Sequence, residues 1–515
     1  MSTTTTTSIQ LTDTVGWASS RPNAAVGTTS RTTSSSAAAA AGRTAEEEEE
    51  ILAASRAADS AAPDGGYGWA IVASGCVLMW WGVGTTYAWG VIQRTLEEEE
   101  ILAASRAADS AAPDGGYGWA IVASGCVLMW WGVGTTYAWG VIQRTLVRDG
   151  LAGPAVVSFI GSLQAAMVSL CATANAWLLQ RLGPRRTALT GVALMGGCEI
   201  LSSFTTRNLG GLFVTSGVMF GLGASFIFCV ITTIPSQYFS KKRGLANGLI
   251  FAGSGLGGAA ISFALDPLIE KIGLAMAYRV LGIATLATGL PAAWIMKERT
   301  RLPRRQFIEW KMFKSANFVL ICAATAIGTF PLYVPPFFLP LYANSLGFSS
   351  STGAGLVAGF TLSSAVGRIV CGYLCDMMGA INVLLTSLVL TALSMLAIWP
   401  ASTTLGPLAL FVVVNGLSNG GFFCTMPTVA SNVFGSARVG VVMSMIITGW
   451  IGGYLMSLVQ GAPIAGYLLE AFGGAEKGLT AYRPAMFYGG SLSLVSAILV
   501  LIARVRVNKK VFVKV

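Results

Sequence analysis

The chain has 515 residues, of which 54% are hydrophobic and 11% charged; its mean hydropathy is +0.66 and its net charge +10. A soluble domain carries roughly 25% charged residues, so this composition excludes a soluble globular protein and indicates an integral membrane protein. The absence of histidine excludes histidine-based metal sites, triads and proton relays, and the basic residues lie in short loops between apolar runs rather than on a nucleic-acid-binding surface.

The N-terminal part of the chain contains an exact repeat of one 50-residue segment. Residues 1–66 are rich in Ser, Thr and Ala and include an acidic run, which predicts a disordered tail. Residues 47–96 and 97–146 are identical, and each copy holds one apolar stretch. Because the second copy leads directly into the next apolar run, we predict that it supplies the first helix and that 67–96 is a surplus duplicate. A recent tandem duplication or a gene-prediction error is the favoured origin; a real extra peripheral helix is the alternative.

The remaining apolar runs predict an all-α integral membrane protein with twelve spanning helices, since runs of about 20 apolar residues are typical of membrane spans. Lys and Arg concentrate in the loops on one side, which places both ends of this body in the cytoplasm. The predicted bounds are 117–142, 154–179, 187–206, 209–235, 244–265, 278–296, 316–342, 353–376, 380–399, 405–428, 438–462 and 484–503.

The two halves of this body resemble each other. Residues 221–239 align with 416–434 at a constant offset, so that Cys229 matches Cys424. A parallel repeat of six helices is the plan of the major facilitator fold. We therefore predict two six-helix bundles, at 110–296 and 316–504, joined by a basic cytoplasmic linker at 297–315. A short basic cytoplasmic tail follows at 505–515.

Two motifs resemble those of a known family. PDGGYGW, at 113–119, opens the first helix, and YFSKKRGLANGLIFAG, at 238–253, leads into the fifth. Together they resemble the two signatures of the monocarboxylate transporter family within the major facilitator superfamily, and TYAWGVIQ and the short middle loop are more similar to its fungal branch. The second motif departs from the family pattern only at Ile250, where Ala is usual. The resemblance covers about residues 110–505 and implies secondary active or facilitative transport of a small organic solute by alternating access.

The motif residues also have a purely structural interpretation, which we favour for the first motif. Pro-Asp-Gly-Gly is typical of a turn, Asp114 can cap the incoming helix, and aromatic residues suit the membrane interface. Asp376 can stabilise one conformation by facing the positive end of a neighbouring helix. The predicted gating or family-motif residues are Asp114, Gly115, Gly116, Tyr117, Trp119, Lys241, Lys242, Arg243 and Asp376.

Arg368 is the leading candidate for substrate binding. It lies inside the eighth predicted helix, where a charge is costly unless it faces a partner or a cavity. The resemblance implies that this Arg, followed at the family's spacing by Gly372, binds the substrate carboxylate, which a guanidinium can hold with two parallel hydrogen bonds. A structural ion pair or packing role is the alternative. Asn175, Asn415 and Asn419 are further predicted substrate-binding residues, with helix–helix hydrogen bonds as their alternative.

The proton-coupling residues implied by the resemblance are incomplete. No charged residue occurs from Tyr117 to Ile142, where a Lys is expected, and Ser364 stands where an Asp is expected before Arg368. Glu199, in the third helix, is the candidate proton site and could instead pair with an Arg. A position near the outer headgroups with neither role is the interpretation that we favour.

The predicted function is transport, and three hypotheses stay open. The substrate is a monocarboxylate anchored by Arg368, or a neutral or larger metabolite with Arg368 structural, or the protein is a nutrient sensor that moves nothing. No enzyme activity, cofactor, metal or nucleic acid is expected, because the chain has no phosphate loop and no catalytic dyad. The expected partners are a small organic substrate, with or without a proton in symport, and the lipid bilayer, while an accessory membrane protein is left open. The plasma membrane is the predicted location, and an internal membrane is the alternative.

Overall fold

The computed structural model describes residues 114–299, 308–451 and 479–508. These residues form helices and short connections, with no strand among them. The predicted tail at 1–66, the duplicate at 67–96 and the last seven residues of the tail at 505–515 lie outside the described residues.

Twelve helical segments, α1 to α12, follow one another in chain order. The first six are α1 (Tyr117–Arg148), α2 (Pro154–Leu170 with Ala172–Leu182), α3 (Pro184–Thr205), α4 (Leu209–Tyr238), α5 (Arg243–Ile272) and α6 (Leu274–Ile295). The others are α7 (Ala316–Thr329, Pro331–Tyr333 and Val334–Ser345), α8 (Ser350–Met378), α9 (Ala380–Ala401), α10 (Leu405–Phe434), α11 (Val439–Gly449) and α12 (Arg483–Val507).

Most of these segments can cross a membrane. Within the described residues, 10 helices are long and apolar enough, and the bent pair in α2 raises the number to 11. The described α11 has 11 residues, and residues 452–462 of its predicted range lie outside the described residues. The all-helical membrane architecture is therefore confirmed, while the count of twelve stays a prediction.

Several helices extend beyond their apolar runs. The apolar run of α5 ends at 265, but the helix continues through Glu270 and Lys271, since charged residues with long side chains are good helix formers. It ends at Gly273, whose φ of +79° is the left-handed conformation that glycine adopts readily at a helix end. Hydropathy therefore predicts the part of the helix that lies in lipid and misses the turns that project from it.

The helices pack as two related halves. In the first half α1 packs against α5 and α6, α3 against α4 and α6, and α2 against α4. In the second half α8 packs against α10, α9 against α10 and α12, and α7 against α12. The halves meet where α5 contacts α8 and where α2 contacts α11. In a parallel six-helix repeat α5 corresponds to α11, and α2 corresponds to α8. The α5–α8 contact therefore corresponds to the α2–α11 contact, as the repeat predicts.

Glycine allows α5 and α8 to approach closely. A Cβ placed on Gly372 would lie 2.9 Å from the Cα of Gly248 and would clash with the carbonyl oxygen of Gly244. A Cβ placed on Gly248 would clash with the carbonyl oxygen of Arg368. This contact brings the turn of α8 that carries Arg368 directly against the first half.

Candidate substrate site and gate

Arg368 lies at the interface of the two halves. Its side chain is 2% exposed, and its place ten residues before the end of α8 puts it about 15 Å from that end. Nη1 donates to the carbonyl oxygen of Phe251 at 2.9 Å and to Oγ of Ser254, while Nη2 donates to the hydroxyl of Tyr137 at 3.1 Å. All three acceptors belong to the first half, so Arg368 bridges the halves in this conformation.

The guanidinium of Arg368 keeps unused hydrogen-bonding capacity. Of its five N–H donors, three are accounted for above, and the buried Nε has no partner. The remaining donors are the Nε–H and one N–H of Nη2, and these two nitrogens are the pair with which an arginine can hold a carboxylate side-on. The rings of Tyr137 and Phe423 lie 5.9 Å from the guanidinium carbon, measured to their centroids. The arrangement suits a planar anion attached to an apolar or aromatic body.

Sequence reasoning identified Arg368 but missed the residues that hold it. Tyr137 lies in an apolar helix where an aromatic residue is unremarkable by pattern, and Ser254 directly follows the second motif. Only the packing of α5 against α8 brings Ser254 to Arg368, and no sequence signal specifies that pairing. None of the three acceptors carries a charge, so within the described residues this cation has no carboxylate partner.

Asn175 and Asn415 donate hydrogen bonds inside their own halves. Nδ2 of Asn175 donates to Oγ of Ser225 at 2.8 Å, between α2 and α4. Nδ2 of Asn415 donates to Oγ of Ser394 at 2.7 Å, between α10 and α9, and Oδ1 of Asn415 has no partner. Their amide nitrogens thus link helices, and their predicted contact with substrate stays a prediction.

Asn419 supports the break in α7. A short 3₁₀ turn, Pro331–Tyr333, separates the two α-helical parts of α7. Pro336 has no N–H to give to the carbonyl oxygen of Leu332 four residues earlier. Nδ2 of Asn419 donates to that oxygen at 2.9 Å instead. This bond explains the side chain of Asn419 without substrate, whose binding there stays a prediction.

Glu199 lies inside the packing of the first half. Its side chain is 3% exposed, and both carboxylate oxygens lack a hydrogen-bond partner, as does Oγ1 of Thr285 on α6. Glu199 is six residues, or about 9 Å, from the end of α3. Neighbouring helices enclose the side chain, and the favoured interpretation, a position near the outer headgroups with neither role, stays a prediction. No Arg among the described residues pairs with it, and its role as a proton site stays a prediction.

The two family motifs contact each other through Asp114. Oδ1 of Asp114 accepts hydrogen bonds from the backbone N–H groups of Ser240 and Lys241 at 2.9 Å and of Lys242 at 3.1 Å. We expected Asp114 to cap α1, but that helix begins at Gly116 without a side-chain cap. Because Asp114 has a φ of +48° and Gly116 a φ of +58°, the chain reverses here and the carboxylate faces the turn before α5.

Aromatic contacts reinforce this junction. Gly115 closes the first turn by accepting from the N–H of Gly118, and a Cβ on Gly118 would lie 2.9 Å from the ring of Phe239. The rings of Trp119 and Phe239 are 5.2 Å apart, and the hydroxyl of Tyr117 donates to the carbonyl oxygen of Ile295 at 2.6 Å. The first motif therefore connects α1 to the ends of α4 and α6, as a structural role requires.

The second motif forms part of the contact between the halves, and its role as a gate stays a prediction. Oδ1 and Oδ2 of Asp376 accept from the N–H groups of Gly244 at 2.7 Å and Leu245 at 2.8 Å, so a carboxylate of the second half caps α5. Arg243 is buried, and its Nη1 lies 3.4 Å from Oδ1 of Asn432 on α10. Lys241, like Lys242, has an exposed side chain, and the backbone N–H groups of both lysines donate to Asp114 within the first half.

The named contacts between the halves extend from the basic loops to mid-depth. Nδ2 of Asn247 donates to Oγ1 of Thr428 at 3.0 Å, and the hydroxyls of Thr173 and Thr448 are 2.8 Å apart. A cavity of ≈ 10 Å³ between α2, α4 and α11 has about the volume that one water molecule needs. The halves are thus in contact at the end predicted to face the cytoplasm, and Arg368 is part of the same interface.

This fold agrees with comparisons to known proteins. Residues 119–455 match the family model described as Major Facilitator Superfamily, with a second, overlapping match over 332–514. The chain belongs to the Major Facilitator Superfamily. In this superfamily member the match begins within the second copy of the duplicated segment, which is also the copy that forms α1.

Curated relatives of this facilitator are fungal transporters. It is 28% identical over 372 residues to the agnestins efflux protein AgnL12 of Paecilomyces divaricatus, covering 70% of this chain and 80% of that protein. It is 27% identical over 343 residues to the aspyridones efflux protein apdF of Emericella nidulans, covering 65% and 68%. These similarities identify a membrane transporter of the facilitator type and leave its substrate undefined.

Solved structures share the fold at low identity. The human organic anion transporter MFSD10 (TETRAN) superimposes with a TM-score of 0.59 at 13% identity, covering 75% of this chain and 100% of that one. The fucose:proton symporter FucP of E. coli superimposes with a TM-score of 0.57 at 15% identity, covering 74% and 98%. The all-helical facilitator fold and a multi-pass location in the membrane follow.

Proposed function

We propose that this facilitator transports organic carboxylates and that Arg368 binds the carboxylate group, as in the monocarboxylate transporter-like group. The supporting observation is a buried guanidinium whose Nε–H has no partner, beside two aromatic rings at the interface of the halves. An unpaired N–H is costly at this depth, and an anion that accepts from it recovers that cost. The plasma membrane is the proposed location.

A second candidate is the export of a larger acidic metabolite. The relatives whose names mention agnestins and aspyridones are efflux proteins. The rings of Tyr137 and Phe423 favour a substrate with an aromatic or extended apolar body over a short monocarboxylate. Both candidates use the same contact between Arg368 and a carboxylate. They differ in the size of the apolar substrate body that packs against the two rings.

The test compares Arg368→Gln and Arg368→Lys with the unchanged protein in proteoliposomes. The probes are radiolabelled pyruvate and phenylpyruvate, with unlabelled pyruvamide and phenylpyruvamide as neutral competitors. Loss of a charged hydrogen-bonded contact costs about 1.5–3 kcal/mol, so Arg368→Gln should lower carboxylate uptake roughly 10-fold to 100-fold. Arg368→Lys should recover part of it, because an ammonium keeps the charge without the fork. Stronger uptake of phenylpyruvate than of pyruvate supports the larger substrate.

The matched control is Arg504→Gln. Arg504 is equally buried, at 3% exposure, but its Nε donates to Oδ1 of Asn382 near the end of α12, inside the second half. The Arg504→Gln variant should show unchanged uptake per protein molecule inserted in the membrane. If Arg368→Gln inserts normally and moves pyruvate with unchanged KM, Arg368 is structural and the carboxylate proposal fails. Binding of either carboxylate without any flux would instead favour a sensor.

A further inference from the structure

A short turn of the basic linker has three faces of different chemistry. The sequence WKMFK, which we call the linker turn, forms a 3₁₀ helix directly before α7. Three residues complete one turn of such a helix, so side chains three apart in sequence lie above one another. Trp310 and Phe313 therefore share one face. Lys311 and Lys314 share a second face, and Met312 has the third.

One face attaches the linker turn to the second half. Met312 is 6% exposed and belongs to the hydrophobic core. The ring of Phe313 meets the buried ring of Phe318, in the first turn of α7, edge-on at 5.3 Å. Before the turn, Oε2 of Glu309 lies 3.7 Å from Nε of Arg438. The linker turn is thus held against the second half at the level where α7 begins.

The other two faces point away from the protein. Trp310 is 70% exposed and Phe313 48%, and their ring centroids are 5.9 Å apart. The side chains of Lys311 and Lys314 are exposed as well. Apolar rings are unfavourable in water, whereas the headgroup region of a bilayer covers the rings and keeps the ammonium groups among polar groups. A lipid surface therefore suits both outward faces at once.

The charge of the exposed faces fits an anionic lipid. The carboxylate of Glu309 is mostly buried beside Arg438, so the part of the linker turn that faces outward is positively charged. Anionic phospholipids give the cytoplasmic leaflet a negative surface potential that attracts lysine. The linker is predicted to lie on that side of the membrane.

We propose that the linker turn binds anionic phospholipids at the cytoplasmic surface of the bilayer. Trp310 and Phe313 insert beside the acyl chains, and Lys311 and Lys314 bind the headgroup phosphates. Because the turn packs on the second half, the bound lipid fixes the depth of that half in the membrane. This site is separate from the contacts of Arg368 and needs no transported solute.

A second pair of exposed lysines provides a matched control. Lys241 and Lys242 lie on the same predicted side of the membrane, directly before α5. The aromatic residues near them, Tyr238 and Phe239, are 5% and 0% exposed. This loop offers the same charge as the linker turn without an exposed aromatic face, so it attracts a lipid headgroup but inserts no ring.

The first experiment measures the depth of the linker turn in vesicles of phosphatidylcholine mixed with phosphatidylserine. A spin label is introduced at position 310 or 242 on a non-canonical amino acid, so that the native cysteines stay unlabelled. Collisions with oxygen, which concentrates in lipid, are compared with collisions with a neutral nickel chelate, which stays in water. The label at 310 should collide more with oxygen, and the label at 242 more with nickel. Equal access of nickel to both positions overturns the proposal and indicates a face for a soluble partner.

The second experiment titrates the detergent-solubilised protein with phosphatidylserine and follows the tightest binding step by native mass spectrometry. Lys311→Gln with Lys314→Gln should weaken this step about 30-fold, since each lysine near an anionic surface contributes roughly 5-fold. Lys241→Gln with Lys242→Gln should change it less than 2-fold. Glycerophosphoserine, the headgroup without acyl chains, should not compete. Equal weakening in both double variants, or full competition by glycerophosphoserine, overturns the lipid site. Neither experiment contains a transport substrate, so failure of the proposed function leaves their outcome unchanged.

Discussion

At the scale of single residues, Asp114 makes the clearest stability prediction. Its carboxylate accepts from three consecutive backbone N–H groups, and its backbone has a positive φ. Asp114→Ala removes the acceptors and puts a disfavoured residue in the left-handed region, so we expect a loss of about 2–4 kcal/mol in the free energy of unfolding. Asp114→Asn keeps an oxygen acceptor and tolerates the backbone, so its loss should be about 1 kcal/mol.

The measurement is the thermal unfolding midpoint of the purified protein in detergent. The midpoint should fall in the order unchanged protein, Asp114→Asn, Asp114→Ala. Lys241→Gln is the control, because Lys241 contributes its backbone N–H and not its exposed side chain, and surface changes of this kind stay within about 0.5 kcal/mol. An Asp114→Ala protein as stable as the Lys241→Gln protein would show that the junction of the two motifs is not needed for stability.

How far the sequence predicts this site depends on the type of residue. A lone Arg in an apolar helix is conspicuous because lipid penalises it, so Arg368 was identified without a structure. Its acceptors are a backbone carbonyl, a serine and a tyrosine, which cost little in a helix and leave no sequence signal. The same limit applies to Asp114. From the sequence, we expected Asp114 to cap the helix that follows it. Its carboxylate instead caps the turn at 240–242, which is distant in sequence.

At the scale of helices, the same contrast appears between α2 and α7. Proline cannot donate a backbone hydrogen bond, so the prolines of α7 are a visible sequence signal for the break in that helix. The two parts of α2 meet at an angle of 56° around Cys171, where neither Pro nor Gly marks the bend. A bend that depends on tertiary packing leaves no local signal, and α2 was therefore predicted as one straight helix.

The contact between α5 and α8 supplies the prediction at this scale. Gly372→Ala favours helix formation by roughly 1 kcal/mol, but its Cβ meets the backbone of Gly244 and Gly248, which no rotamer change can move away. The two helices can relieve this clash only by separating. Spin labels at positions 242 and 377 lie next to the start of α5 and the end of α8. We expect the distance between these labels to become longer while the protein stays folded.

The same helix offers the control for this variant. Gly355→Ala adds an identical methyl group to α8 at a position with no other atom within 4 Å. It should leave the distance between the spin labels unchanged. A Gly372→Ala protein with an unchanged distance and unchanged stability would mean that α5 and α8 tolerate a wider spacing in the closed state.

At the scale of the whole molecule, the two contacts between the halves differ although the repeat relates them. The α5–α8 contact has the cap from Asp376, the hydrogen bonds of Arg368 and closely packed glycines. The α2–α11 contact includes the bond between Thr173 and Thr448 and encloses the small cavity. Because a bond between neutral hydroxyls is weaker than one made by a charged group, opening should be resisted mainly at α5 and α8.

The duplicated segment makes a prediction for the whole chain. Since residues 47–96 and 97–146 are identical, removing either copy gives the same protein. The family match and α1 both use a single copy, so we expect this shortened protein to transport pyruvate at the same rate per molecule. An additional membrane span would move the C-terminus to the other side of the membrane, because each span reverses the side on which the chain continues. A C-terminal tag should be accessible from the same side in both proteins. If the tag changes sides on removal of one copy, the first copy crosses the membrane, and the assignment of both termini to the cytoplasm holds only for the shortened chain.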